Sequence, residues 1–584
     1  MRQLRVWAPN ATKVEVEGGA ERRVLQAVDG GFHEGSVPWL RPGRGYALRL
    51  DEGAAVPDPR AERLPQGVHG PGQLLEHPQY AWRDAGWQPP PMGCGVVYEL
   101  HVGTFTPEGT FDAARERLDH LCQLGVTHIE LMPVHSFAGE RGWGYDGVGL
   151  FAPHEPYGGP HGLKGFVDAC HSRGLAVLLD VVYNHLGPEG NYLSRFGPYF
   201  TDRYATPWGP AVNLDGRGSD EVRRFLLDNA RMWLRDYHFD GLRLDAVHAL
   251  FDRSPLHFLE ELQEETSALE RELGRALVLI AESDLNDPKL VRARELGGFG
   301  LTAQWSDDFH HALHAQLTQE RQGYYGDFGR LSELAAALRR GFVYDGRYSR
   351  YRGRRHGRST VGLGGHRFVV YAQNHDQIGN RAQGERTSQL VSVDRLRIAA
   401  TLLLTAPFVP LLFQGEEWGA GTPFRYFTDF GDPDLARAVY EGRCREGASF
   451  GWKREDIPDP QDPETFLRSK LDWSELWREP HASLLKWHRD LILLRRAAAS
   501  LHEDRLDRVH VRFDEDKHWI LVERGPWSVV CNLSRSAQSI PLGSGRPNRC
   551  WLAAPAPGTR RRDAIELGGT SVVILGPCVL GAGV

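Results

Sequence analysis

Four short apolar runs in this chain each end in an acid, and that pattern restricts the folds open to it more than any other feature. They are residues 176–180 ending in Asp180, residues 241–245 ending in Asp245, residues 277–282 ending in Glu282, and residues 368–376 ending in Asp376. The second run also carries Arg243, so an arginine and an aspartate alternate with apolar residues in what reads as a strand. Alone, Arg243 and Asp245 would be a structural buried pair. Four buried strands with charge at their carboxyl ends instead suggest a (β/α)8 barrel with its chemistry on the C-terminal face.

The rest of the chain fits that frame. Residues 96–100 and 126–131 read as strands separated by a helical period through Phe111, Ala114, Leu118 and Leu121, with Gly125 as its stop. A strand, helix and strand in that order imply parallel pairing. Residues 301–305 and 409–413 supply two further strands, which brings the total to eight. Ser219, with Asp220 and Glu221 behind it, opens the helix that leads into the strand of Arg243. Before residue 90 and after residue 500 the period is two, broken by Gly and Pro. The chain therefore divides into an N-terminal β-sandwich (1–90), a barrel (91–500) and a C-terminal antiparallel β-sandwich (501–584).

A formal net charge of −7 leaves no basic field to attract nucleic acid or an anionic membrane. The arginine-rich, tyrosine-containing stretch 347–355 reads as a solvated loop beside the cleft. The chain opens directly on strand-like sequence, without an apolar leader, so a cytoplasmic enzyme is expected, as a monomer or homodimer. Seven scattered cysteines never form Cys-x-x-Cys, and reduced core thiols are expected. Neither His128 with Glu130 nor His310 with His311 has zinc spacing, and no acidic cluster surrounds Asn184, so no metal and no cofactor is expected.

In order and spacing, residues 180–185, 241–248, 281–284 and 374–376 resemble the four motif regions of the α-amylase superfamily of glycoside hydrolases, family 13. The resemblance covers most of the chain. Longer strings at 99–105, 373–381, 415–420 and 424–429 are similar to the branch of that superfamily that releases trehalose from maltooligosyltrehalose. The superfamily also holds α-glucan branching and debranching enzymes, which share the barrel and the sandwich. A catalytically inactive glucan-binding protein would lack one of Asp245, Glu282 and Asp376.

The chemistry of the residues agrees with the family mechanism. Cleaving an α-glycosidic bond with retention needs a nucleophilic carboxylate and a protonated acid about 5–5.5 Å apart. Asp245 and Glu282 are expected at one level of neighbouring strands. Arg243, on the same face as Asp245, would keep it ionised, while five apolar residues before Glu282 would desolvate that carboxyl and keep it protonated. Tyr145 is the candidate for stacking on the reacting sugar ring, and the resemblance implies that Asp376 grips that sugar and that His185 and His375 hydrogen-bond to it. It implies further substrate contacts at Leu244, Ala246, Val247 and His248, at Gln377, Ile378, Gly379 and Asn380, and at Asp307, Asp308, Phe309, His310 and His311 after the sixth strand. Asp307, Asp308 and Tyr325 are the candidates for a trehalose site on the loops after strands five to seven. Asp180 is expected to be a structural partner of Arg243.

Overall fold

The computed structural model describes residues 2–543 and 549–577. At its centre eight parallel strands close into a barrel: β1 (Val97–Leu100), β2 (His128–Leu131), β3 (Ala176–Val181), β4 (Gly241–Leu244), β5 (Val278–Ala281), β6 (Ala303–Trp305), β7 (Phe368–Tyr371) and β8 (Val409–Phe413). The barrel interior is packed by Val97, Leu178, Ile280, Trp305, Val369 and Leu411, while the opposite residues of the strands face the surrounding helices. Each such side chain contributes on the order of 1.5–3 kcal/mol when fully buried.

Register places the charges. On β3 and β4, Asp180 lies beside Arg243. Leu244 pairs with Ala281, so Asp245 and Glu282, each the next residue, leave β4 and β5 at one level. Glu99 lies beside Glu130 on β1 and β2. The helix expected at Ser219 runs over Ser219–Asp236, entered through Gly218 at a φ of 79°.

Two three-stranded antiparallel sheets precede the barrel. Their alternation is visible in Val14–Gly18, where Val14 and Val16 are buried and the glutamates between them are half-buried. The linker after them is clamped to the base of the barrel. His171 donates from Nδ1 to Asp84 (2.8 Å) and from Nε2 to Asp240 (3.0 Å). Asp240 also accepts from Trp87 Nε1 (2.8 Å), Arg275 Nη1 (2.7 Å) and the Val177 amide (2.8 Å). Burial works against protonation of His171, but its two aspartates outweigh that and raise its pKa.

After the barrel, a five-stranded and a three-stranded antiparallel sheet follow the helix His481–Ala497. Arg495 on that helix donates to the carbonyls of Leu404 (3.1 Å), Ala406 (2.9 Å) and Phe408 (2.6 Å), and so ties the helix to the approach to β8. The cysteine expectation needs correction. Cys170 and Cys531 are buried, but Cys94 and Cys550 are exposed and Cys122 and Cys444 half-exposed, because they fall on helix faces and sheet edges rather than in the core. Cys578 lies outside the described residues. No helix among the described residues is long and apolar enough to cross a membrane.

Replacing Asp240 with alanine leaves four donors without their acceptor at once, those of His171 and Val177 buried. The Asp240→Ala variant should lose about 3–5 kcal/mol of stability, read as a lowered denaturant midpoint, while kcat of the folded fraction stays near wild type because the clamp lies at the far end of the barrel. An unchanged midpoint would show that the clamp is not needed to hold the fold.

Candidate active site

The site is built around the guanidinium of Arg243, which is wholly buried. Its Nη1 donates to both oxygens of Asp180 (2.8 Å each) and to Asp245 Oδ1 (2.7 Å). Its Nη2 lies 3.8 Å from Glu282 Oε2, and Trp305 lies under its plane at 4.3 Å. The second oxygen of Asp245 accepts from Asn184 Nδ2 at 2.9 Å, and the other end of that amide accepts from His185 Nδ1. Asn184, weighed above as a metal ligand, thus has both ends of its amide engaged within the site.

The two carboxyls are driven apart. Burial raises Asp245, but Arg243, His185 and the Asn184 hydrogen bond outweigh it and hold the carboxyl below its usual range. Glu282 is pushed well above its usual range by burial, with Arg243 opposing and Asp245, Asp307 and Asp376 reinforcing. Glu282 Oε2 accepts the Ala246 amide at 2.6 Å. That amide is aimed by a left-handed backbone at Ala246, with a φ of 39°, a strained conformation for a residue with a Cβ.

Asp376 stands on the short helix His375–Gly379, whose N-cap Asn374 accepts from the Asp376 amide at 2.9 Å. Its side chain is 46% exposed and open to the cleft. Tyr145 stacks on His375, with ring centres 5.1 Å apart. Its hydroxyl donates to Asp180 (2.6 Å) and accepts from His375 Nε2 (2.8 Å).

Two neighbouring cavities open here. The first, of about 510 Å³, is bordered by Tyr145, His185, Asp245, Ala246, His248, Glu282, His375 and Asp376. The second, of about 660 Å³, is bordered by Asp307, His311, Tyr325, Asp376 and Gln377. Asn380, Arg443 and Glu446 border both. Arg243 lies beneath the floor.

Seven of the expected contacts line neither cavity. Leu244 and Val247 are core residues, and Val247 meets Glu282 only through backbone. Asp308 is buried, its Oδ2 taken by Asn286 Nδ2 (2.8 Å) and the amides of Val343 (2.6 Å) and Tyr344 (2.8 Å), so it braces a loop. Phe309 is fully buried on the helix Asp307–Thr318 and packs against Phe408 in the core. His310 is held between the Ala372 carbonyl (2.6 Å) and the Tyr325 hydroxyl (2.9 Å). Ile378 packs with Trp143 and Phe424, and beside it Gly379 lines neither cavity but permits a close approach, since a Cβ there would come within 2.0 Å of Trp143. The cause is common to all seven. Helix and strand period turn alternate residues of a motif away from the site.

Sequence reasoning passed over Trp208, which stacks on His185 at 4.5 Å, and Trp452, Arg443 and Glu446 after β8, for which no local pattern gives a signal. It also passed over Glu99, an acid near the end of an apolar strand, which carries the very signal that singled out the other four.

Residues 83–204 match the family model for the alpha amylase catalytic domain, and residues 504–574 match a domain of unknown function, DUF3459. The chain is similar to malto-oligosyltrehalose trehalohydrolases of Mycobacterium tuberculosis (48% identical, covering 98% of this chain and 99% of the relative) and Arthrobacter ramosus (51%, covering 93% and 95%). A crystal structure described as a putative alpha amylase from Salmonella typhimurium is 39% identical, with a TM-score of 0.90 over 98% of this chain and 97% of the other. A pullulanase of Paenibacillus barengoltzii shares the fold at 19% identity, with a TM-score of 0.72 over 98% and 93%.

The opposed carboxyls predict an asymmetric pH profile. kcat/KM should hold on the acid side to below the ordinary aspartate range, where Asp245 becomes protonated, and should fall on the alkaline side as Glu282 ionises above the ordinary glutamate range. Asp245→Asn should fold normally and lose at least about three orders of magnitude in kcat. Glu282→Gln should impair substrates with poor leaving groups far more than an activated aryl glycoside, and equal losses on both would assign Glu282 another role.

Proposed function

The chain belongs to the malto-oligosyltrehalose trehalohydrolase family of the α-amylase superfamily, and from that membership we propose that it cuts the α-1,4-glucosidic bond next to the terminal trehalose of a maltooligosyltrehalose with retention of configuration. The products are trehalose and a shortened maltooligosaccharide.

In this reading the reacting glucose occupies the cavity of about 510 Å³ and stacks on Tyr145. Asp245 attacks the anomeric carbon, and Glu282 protonates the departing oxygen. Asp376 binds the sugar hydroxyls and steadies the distorted ring. Water, deprotonated by Glu282 in its basic form, then releases the sugar from Asp245.

The observation that carries the proposal is two carboxyls leaving adjacent strands at one level beside one shared arginine, the pKa of Asp245 held down and that of Glu282 pushed up. Its specificity rests on the cavity of about 660 Å³ on the β5 to β7 side of Glu282, where a leaving group would lie. Trehalose offers a bent pair of rings bearing hydroxyls. Asp307, Tyr325 and Arg352 face that space, and Arg352 reaches it after pairing with Asp284 at 2.8 Å, its Nε a buried donor without a hydrogen-bond partner. Maltose there would leave such groups unpaired, and hydrogen-bond discrimination of this kind reaches roughly 10⁴-fold. A branching activity has less support, since the glucan branching enzyme of Pseudoalteromonas atlantica is 31% identical and aligned to 53% of the chain.

The test compares kcat/KM for maltotriosyltrehalose and maltopentaose. The ratio should exceed about 10², and Arg352→Ala should bring it down at least tenfold. A wild-type ratio near one would eliminate the trehalose-releasing reading.

A further inference from the structure

Glu99 on β1 is buried to within 1% and takes no part in the mechanism above. Its two oxygens are both directed at His375: Oε1 accepts from the ring Nδ1, and Oε2 accepts from the backbone amide at 3.2 Å. The other ring nitrogen, Nε2, reaches the Tyr145 hydroxyl at 2.8 Å, and that hydroxyl lies 2.6 Å from Asp180 Oδ2. A hydroxyl has one proton. If it donates to Asp180, it must accept from His375, so Nε2 has to carry hydrogen as well as Nδ1. With Asp180 ionised, and so purely an acceptor, the hydrogen bonds close only when the ring is an imidazolium.

We propose that Glu99 is a positioning residue for glycoside cleavage: its carboxylate holds His375 doubly protonated, and the second ring proton orients Tyr145 against the reacting sugar. This deepens the reading given under Proposed function and rests on it for the role of Tyr145. The surroundings of the ring agree. Burial opposes the charge, but Glu99 and Asp376 outweigh burial and raise His375 to about 9. Facing it from the other elements are Glu130 on β2 and Asp180 on β3, both pushed upward by burial, Arg243 on β4, which opposes the charge, and His101 after β1, lowered to about 3 chiefly by burial. Asp376 Oδ1 lies 3.5 Å from Nε2. Without the Glu99 carboxylate, burial would leave His375 neutral, and Nε2 would carry hydrogen in only one of the ring's two tautomers.

Two measurements test this. Nitrogen-15 spectra of histidine-labelled wild-type enzyme at pH 8, with the His375 signals assigned by their loss in His375→Gln, should show both ring nitrogens protonated. A single protonated nitrogen overturns the proposal, whether or not any variant folds. The second measurement is kcat/KM for an activated aryl α-maltooligoside, whose departure needs no proton from Glu282, so that the alkaline limb reports His375. Wild type should hold to about pH 9. Glu99→Gln should show that limb at least one pH unit lower, with at least a tenfold loss at pH 8 relative to its own optimum, and Glu99→Asp should keep the wild-type limb even if its rate is reduced. A uniform loss with an unshifted limb in Glu99→Gln would make Glu99 merely structural. Wild-type enzyme inert on both aryl and trehalose-bearing substrates would defeat the functional reading while leaving the spectra to decide on Glu99.

Discussion

One buried guanidinium sets the electrostatics of this molecule. Arg243 touches Asp180 and Asp245 and approaches Glu282, so a single positive charge faces three carboxyls in a space with little water. A lone cation cannot keep three neighbouring anions ionised at low dielectric. The nearest and best hydrogen-bonded of the two catalytic candidates, Asp245, is held below its usual range, and the more distant Glu282 is pushed well above its own. His375 extends the same balance. Beneath the cleft two cations, Arg243 and His375, face the acids Glu99, Glu130, Asp180, Asp245 and Glu282, and burial pushes Glu130 and Glu282 well above their usual range and Asp180 up to about 7. Two carboxyls are thus set apart in pKa by geometry, without different functional groups.

The barrel supplies that geometry. Parallel register puts Arg243 beside Asp180 and sends Asp245 and Glu282 out at one height, which no hairpin could do with residues so far apart in sequence. The strained Ala246 then turns its amide toward Glu282. Strain of this kind persists only where the surrounding structure holds it, here between β4 and the backbone bond from Val247 to Glu282.

Much of this was legible in the sequence, because the period of a buried strand and the rarity of an acid within it are local signals. The eight strands, the pairing of Asp180 with Arg243 and the ends at Asp245 and Glu282 all follow from them. Whatever depends on which way a side chain turns in a helix or loop did not. Asp308 and Asp307 are adjacent, yet one braces the loop at Val343 and the other faces the cavity, a difference set by helix phase. Trp208, Arg443 and Trp452 reach the site from a hairpin and from segments far along the chain, where only tertiary packing brings them near.

The central claim is that Arg243 leaves Asp245 ionised and Glu282 protonated before any substrate arrives. Neutron diffraction from deuterium-exchanged crystals at pH 7 reads it directly. The account predicts a deuterium on a carboxyl oxygen of Glu282 and none on Asp245. Deuterium on Asp245, or its absence from Glu282, would contradict it.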